Sequence, residues 1–91
     1  MMMLNDPGGY INLHVLLGRH LAAIGAKIKV VYCVSACLNL LAQVPPSNVC
    51  FRPDAWIGFH SAAQRADGTE DTTTMRWERG RDWIAKGWKS C

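Results

Sequence analysis

The octapeptide Lys27-Ile28-Lys29-Val30-Val31-Tyr32-Cys33-Val34 constrains the fold more than any other stretch of this chain. Its β-branched residues favour an extended backbone. Apolar character that is nearly continuous toward its end is the mark of a buried strand in a parallel sheet. Parallel neighbours need crossover connections, and the flanking sequence supplies them. From about Tyr10 to Ile24, the residues Ile11, Val15, Leu16, Leu17, Leu21 and Ile24 recur at helical spacing, with Asn12, Arg19 and His20 toward water and Gly25 as a stop. A second helix is predicted from about Ala36 to Gln43, ended by Pro45-Pro46. Residues 2 to 5 read as a short strand, and Val49 to Phe51 and Trp56 to His60 as strand segments interrupted by Pro53. The order strand, helix, strand, helix, strand predicts an α/β fold with a crossover at each helix.

Beyond His60 the chain changes character. Residues 64 to 73 are polar, with Gly68 and threonines, and read as a loop. From residue 74 to 91, Met75, Trp77, Ile84 and Trp88 with interleaved charges predict a last helix, weakened by Gly80 and Gly87. The whole reads as one domain, with an α/β core over residues 1–63, a loop and a C-terminal helix.

Size and charge narrow the functions available. A single domain of 91 residues buries only about 60% of the surface its unfolded chain exposes, so partner chains gain importance. The net charge of +3 is small and scattered, which gives no electrostatic footprint for nucleic acid. Arg76, Arg79, Arg81, Lys86 and Lys89 cluster, but Glu78 and Asp82 are interleaved with them, and local ion pairing is expected instead. Apolar stretches are broken by Arg19, His20, Lys27 and Lys29, so none reaches the roughly 20 residues of a membrane span. Met1-Met2-Met3-Leu4 runs into Asn5-Asp6-Pro7 without the parts of a signal peptide. A soluble domain is expected, periplasmic if a leader precedes it and cytoplasmic otherwise.

Cys33, Cys37, Cys50 and Cys91 allow three full pairings, and spacing alone does not choose among them. A metal set of Cys33, Cys37, Cys50 and His60 would split its first pair across a strand-to-helix turn, a poor match to zinc loops. The reading adopted is one disulfide or buried thiols, with no metal and no cofactor.

The chemistry centres on Ser35. At the end of a buried strand its hydroxyl projects from the sheet, and the N–H of Ala36 opens the following helix, where negative charge is favoured. The Asn5-Asp6-Pro7-Gly8-Gly9 turn offers a second amide, that of Gly9, if it lies beside the serine strand. His60 ends a second apolar run and is the candidate base, since a serine hydroxyl is a weak nucleophile until its proton is taken. Each motif has a plainer reading: the glycines as a turn, Ser35 as an N-cap, and His60, like His14 and His20, as a structural or solvent-side residue. Trp77 and Trp88, eleven apart, would share one face of the last helix, and the tryptophans would anchor core and interfaces.

Leu4-Asn5-Asp6-Pro7-Gly8-Gly9, Val34-Ser35-Ala36 and Gly58-Phe59-His60 resemble, in order and spacing, the motifs of the Clp protease proteolytic subunit, over about Leu4 to Arg76. The Cys33-x-Ser35-Ala36-Cys37 segment is similar to exported Clp-like proteins. The resemblance implies a partial crotonase-type ββα spiral with parallel strands and a C-terminal handle-like helix that packs subunits into a homo-oligomer. It implies a serine peptidase acting on peptides or proteins, with Ser35 as nucleophile, His60 as general base, and Gly9 and Ala36 as oxyanion donors.

Two departures accompany it. The family's aspartate lies beyond its handle helix, and its extra ββα turns precede the Pro-Gly-Gly motif, so residues 1–91 are expected to represent a truncated form or one piece of such a domain. Asp54 is held roughly 20 Å from His60 by extended strand, leaving Asp67, Glu70 and Asp71 as candidates to orient the histidine. A catalytically silent interaction module, and acyl-CoA chemistry in the crotonase manner, are the alternative readings.

Overall fold

The computed structural model describes residues 1–60, 63–64, 70–71 and 75–91, and for residues 60, 63, 64, 70 and 71 the backbone alone. Three parallel strands form its centre: β1 (Met2–Asp6), β2 (Ile28–Val34) and β3 (Val49–His60). The connections are α1 (Ile11–Ala23) and α2 (Cys37–Leu41), the latter followed by a 3-10 turn over Pro46–Asn48. The expected strand-helix alternation is therefore present as a mixed α/β domain with a parallel sheet. The small elements β4 (Ala63–Gln64), at the edge of the stretch expected to be a loop, and β5 (Glu70–Asp71), within it, pair with each other.

Proline 53 does not divide β3. Val30 pairs with Phe51 and Tyr32 with Trp56, so β3 advances five residues while β2 advances two, and the excess is taken up as an irregularity around Arg52–Ala55. A proline is tolerated there because its missing N–H is not required by the ladder.

The C-terminal segment departs from the long helix expected over residues 74–91. Met75–Arg79 is a strand, β6, antiparallel to β3, with Gly58 opposite Trp77 and His60 opposite Met75. A helix follows only at α3 (Gly80–Ala85), and Lys89–Ser90 (β7) then pairs in parallel with Cys50–Phe51 at the other end of β3. The reason is local and tertiary together. Trp77 lies across Gly58, where a Cβ would come within 2.9 Å of its ring, so the one residue without a side chain in that strand makes the seat for the tryptophan. The Asp82 carboxylate then accepts the Arg79 N–H at 3.1 Å, fixing where the helix begins. Trp77 consequently lies in β6 and Trp88 in the link between α3 and β7, and they share no helix face.

The core gathers Ile28, Val30 and Cys33 from β2, Leu40 and Cys37 from α2, and Val49, Phe51 and Ile57 from β3, all essentially without solvent exposure. Phe51 is its hub: Trp83 stacks on it at 5.2 Å and Trp88 meets it edge-on at 5.4 Å. Burying a phenylalanine of this kind contributes about 1.5–3 kcal/mol. Trp56 and Trp77 instead stand on the open side of the sheet, each 44% exposed.

Helix α1 differs from its expected pattern. Only Gly18 and Leu21 of it are buried, while Ile11, Leu13, Leu16 and Leu17 are exposed, as is Ile24 just past its end. Its main contact is with α2, a helix of five residues, which is too short to cover so wide an apolar surface. Asn12, Arg19 and His20 face water as expected.

The local ion pairing expected near the C-terminus is seen at Lys86, whereas Arg76 and Arg79 reach across to β3. Arg79 lies over the Trp56 ring at 3.8 Å and Arg76 over Phe59 at 5.0 Å. Glu78 accepts the Trp83 indole N–H at 3.1 Å and lies 3.8 Å from Lys86. Among the described residues, no helix is long and apolar enough to cross a membrane.

Candidate functional site: the Ser35 turn

Ser35 occupies the turn between β2 and α2 with φ of 55°, the one described residue other than glycine with positive φ. That conformation is uncommon for a residue with a Cβ, and it is a frequent feature of sites where geometry serves chemistry. Its backbone explains how the turn is held. The Ser35 N–H donates to the Gly58 carbonyl at 2.8 Å, and the Ser35 carbonyl accepts the Leu38 N–H at 3.0 Å. Ser35 itself is half-buried.

Ala36 is the N-cap of α2 and almost fully buried, and its carbonyl accepts the Asn39 N–H at 3.0 Å. The amides that open a helix have no intrahelical partner, and that of Ala36 is adjacent to the serine. With α2 limited to Cys37–Leu41, the local amide matters more here than any helix dipole.

The two cysteines on either side of Ser35 are joined to each other, with Cα atoms 5.3 Å apart. The turn is thus held by the Gly58 hydrogen bond and across its ends by sulfur. Cys50 is joined to Cys91, Cα atoms 5.0 Å apart. All four thiols are thus consumed in disulfides, a fuller pairing than the single bridge or buried thiols expected, and the metal set built on them is excluded by the bonding.

The first turn does lie beside the serine strand. Asp6 pairs with Cys33 in the β1–β2 ladder, and Gly8 sits so close that a Cβ on it would be 2.9 Å from the Val34 carbonyl oxygen and 3.4 Å from the Ser35 Cβ. Gly8 and Gly9 adopt φ of 102° and 150°, values that residues with side chains rarely take. Only glycine combines this backbone with this approach.

His60 closes β3. Val34 pairs with Gly58, so the His60 backbone is two residues beyond the point at which β2 turns into Ser35, and it is paired with Met75 of β6. The His60 side chain is outside the described residues. So is Asp67 entirely, while Glu70 and Asp71 are described as backbone only, in β5 opposite Gln64 and Ala63. The structure brings Gly8, Gly9, Ser35, Ala36 and the end of β3 to one end of the sheet. Asp54 is engaged elsewhere, paired with Arg52 at 2.8 Å on the surface.

An acid-histidine pair that was not anticipated sits behind the glycine turn. Asp6 Oδ1 accepts the Gly8 N–H at 2.9 Å, and Asp6 Oδ2 lies 2.7 Å from His14 Nε2. His14 Nδ1 in turn lies 2.8 Å from the Tyr10 carbonyl oxygen. The contact with the Tyr10 carbonyl raises the His14 pKa above its ordinary value, and Asp6 adds to that against the opposing effect of burial. Two signals in the sequence point to the pair: an aspartate two residues before a glycine, which favours an Asx-type turn, and a histidine one helical turn after the first helical boundary residue.

No known protein family matches this chain, and neither does any curated protein or any solved structure.

Proposed function

We propose that this chain is a Clp-like serine peptidase domain on a partial crotonase-type ββα framework, hydrolysing peptide bonds through an acyl-serine at Ser35. The observation that carries the reading is the φ of 55° at Ser35, in a strand-to-helix turn against which Gly8 is packed. In this scheme the Ser35 hydroxyl oxygen bonds to the substrate carbonyl carbon while its proton passes to the His60 imidazole. The carbonyl oxygen, now an anion, is received by the amides of Gly9 and Ala36. The C–N bond then breaks with the proton returned to the leaving amine, and water releases the acyl group by the same route. Preorganised amides contribute heavily to such reactions, about 10²- to 10³-fold for one donor. Asp67, Glu70 and Asp71 are the candidates to orient His60.

Peptides or proteins are the substrates in this reading, and no cofactor takes part. The two disulfides fit an oxidising compartment. The exposed apolar residues of α1 fit a homo-oligomer in which a neighbouring surface covers them.

A fluorophosphonate probe tests the reading. Labelling at Ser35 in the native chain, abolished by Ser35→Ala, is expected. Failure to label under conditions where a control hydrolase reacts would remove it. The same exposed face of α1 favours a second reading, a catalytically silent interaction module, for which Ser35→Ala would leave every biological readout unchanged.

A further inference from the structure

Both ring nitrogens of His14 face oxygens. Nε2 is 2.7 Å from a carboxylate oxygen of Asp6 and Nδ1 is 2.8 Å from the carbonyl oxygen of Tyr10. A carbonyl oxygen has no hydrogen to give, and neither has an ionised carboxylate, so both contacts are hydrogen bonds only when both nitrogens carry protons. A neutral imidazole would set a nitrogen lone pair against an oxygen lone pair at one of the two places.

The carboxylate so held has a second task. Its other oxygen accepts the N–H of Gly8, the residue in contact with Val34 and Ser35. The imidazole also stands directly behind Gly9, with His14 Cε1 3.3 Å from where a Cβ would be. The pair is sheltered, with side-chain exposures of 13% for His14 and 18% for Asp6. The groups facing His14 can be named element by element. Asp6 comes from the end of β1, and the Tyr10 carbonyl from the start of α1. Helix α2, on which α1 packs, carries no ionisable side chain, Cys37 being in a disulfide. Arg19 and His20 of α1 face water.

We propose that His14 and Asp6 are positioning residues: the His14 imidazolium holds the Asp6 carboxylate, which holds the Gly8 amide and sets the Gly8–Gly9 turn against Ser35, so that the turn is held most firmly while His14 is protonated. Loss of the His14 proton removes the charge facing Asp6 and costs one of the two ring contacts; a neutral ring that keeps its proton on Nε2 still donates to Asp6, so the restraint on the turn is weakened. The consequence for catalysis rests on the peptidase reading above, because it uses the Gly9 amide as an oxyanion donor. The consequence for the turn does not.

The test follows the amide resonances of Gly8 and Gly9 and the ring resonances of His14 by NMR across pH, in the intact chain. The glycine amides are expected to shift with the same midpoint as the His14 ring, and that transition is expected to vanish in His14→Gln. Asp6→Asn keeps an oxygen for Gly8 but removes the charge, and in it the shared midpoint is expected to move to lower pH. Glycine amides that ignore the His14 titration, or a midpoint unmoved in Asp6→Asn, would overturn the proposal. In parallel, the rate at which a fluorophosphonate labels Ser35 is expected to fall as His14 deprotonates and to be about tenfold lower in His14→Gln, short of the about 10²- to 10³-fold loss on removing a donor. A pH profile identical in wild type and His14→Gln would overturn the catalytic consequence. Coupled glycine and histidine transitions with Ser35 unlabelled at every pH would instead defeat the peptidase reading and leave the positioning pair standing.

Discussion

The Ser35 N–H donates to the Gly58 carbonyl at 2.8 Å, so the turn that carries the serine is tied to β3 two residues before His60. Gly58 thereby serves two neighbours. Its carbonyl anchors Ser35, and its bare Cα admits the Trp77 ring from β6.

Gly58→Ala is therefore expected to disturb both. The new Cβ would come within 2.8 Å of Met75 Cε and 2.9 Å of the Trp77 ring, contacts that only displacement relieves. Overpacking of this kind costs about 1–3 kcal/mol. Urea unfolding followed by tryptophan fluorescence checks the value, and a substitution without effect would mean that Trp77 is free to leave its seat.

Gly8→Ala meets a harder obstacle, since the Val34 carbonyl is backbone and φ there is 102°. A loss of about 1–3 kcal/mol is expected from the strained backbone alone. Gly25→Ala is the comparison, with φ of 68° and no atom within 4 Å: it carries the backbone strain without the collision and is expected to cost less.

The two disulfides should differ in what they contribute. Cys50–Cys91 closes a loop with a sequence separation of 41, and Cys33–Cys37 one of 4. In the chain-entropy account the first restrains the unfolded chain by about 4 kcal/mol and the second by about 2 kcal/mol. Paired substitutions to alanine, one bridge at a time, with stability read by denaturant titration, are expected to rank in that order.

Stability should depend on pH through His14. Its folded-state pKa is raised above the ordinary 6.5, first by the Tyr10 carbonyl and further by Asp6. A raised histidine pKa means that the folded state holds the proton more tightly. The stabilisation is complete below the unfolded value and disappears as pH climbs through the folded one. The stability gap between wild type and His14→Ala is thus expected to be widest below the ordinary value of 6.5 and to narrow as pH rises through the raised folded-state value. A gap that widens with pH would contradict the hydrogen-bond arrangement described.

What could be read from the residues, and what could not, divides along the range of the interactions. The β-branched run of β2, the Pro45-Pro46 stop and the helical spacing after Tyr10 are local, and the alternation from β1 to β3 follows from them. The strand at Met75–Arg79 is not local. Met75, Trp77 and Arg79 alternate as a strand would, but Trp77 and Ile84 also fit a helix, and the deciding partner is Gly58, nineteen positions away. The continuity of β3 through Pro53 likewise depends on a register irregularity with β2. At the site, the Ser35 turn and its glycines announce themselves by residue type. The Asp6–His14 pair is only half announced: the aspartate before the glycines marks the turn, but the histidine looks like any polar residue on a helix until the turn folds back over it.

Cys33 and Cys37 are both completely enclosed, so the bridge that flanks the serine is out of reach of a dissolved reductant while the domain stays shut. Its rate of cleavage would then count the moments at which the protein opens, giving a chemical clock for its breathing that sits on the very turn where reactivity would be lost.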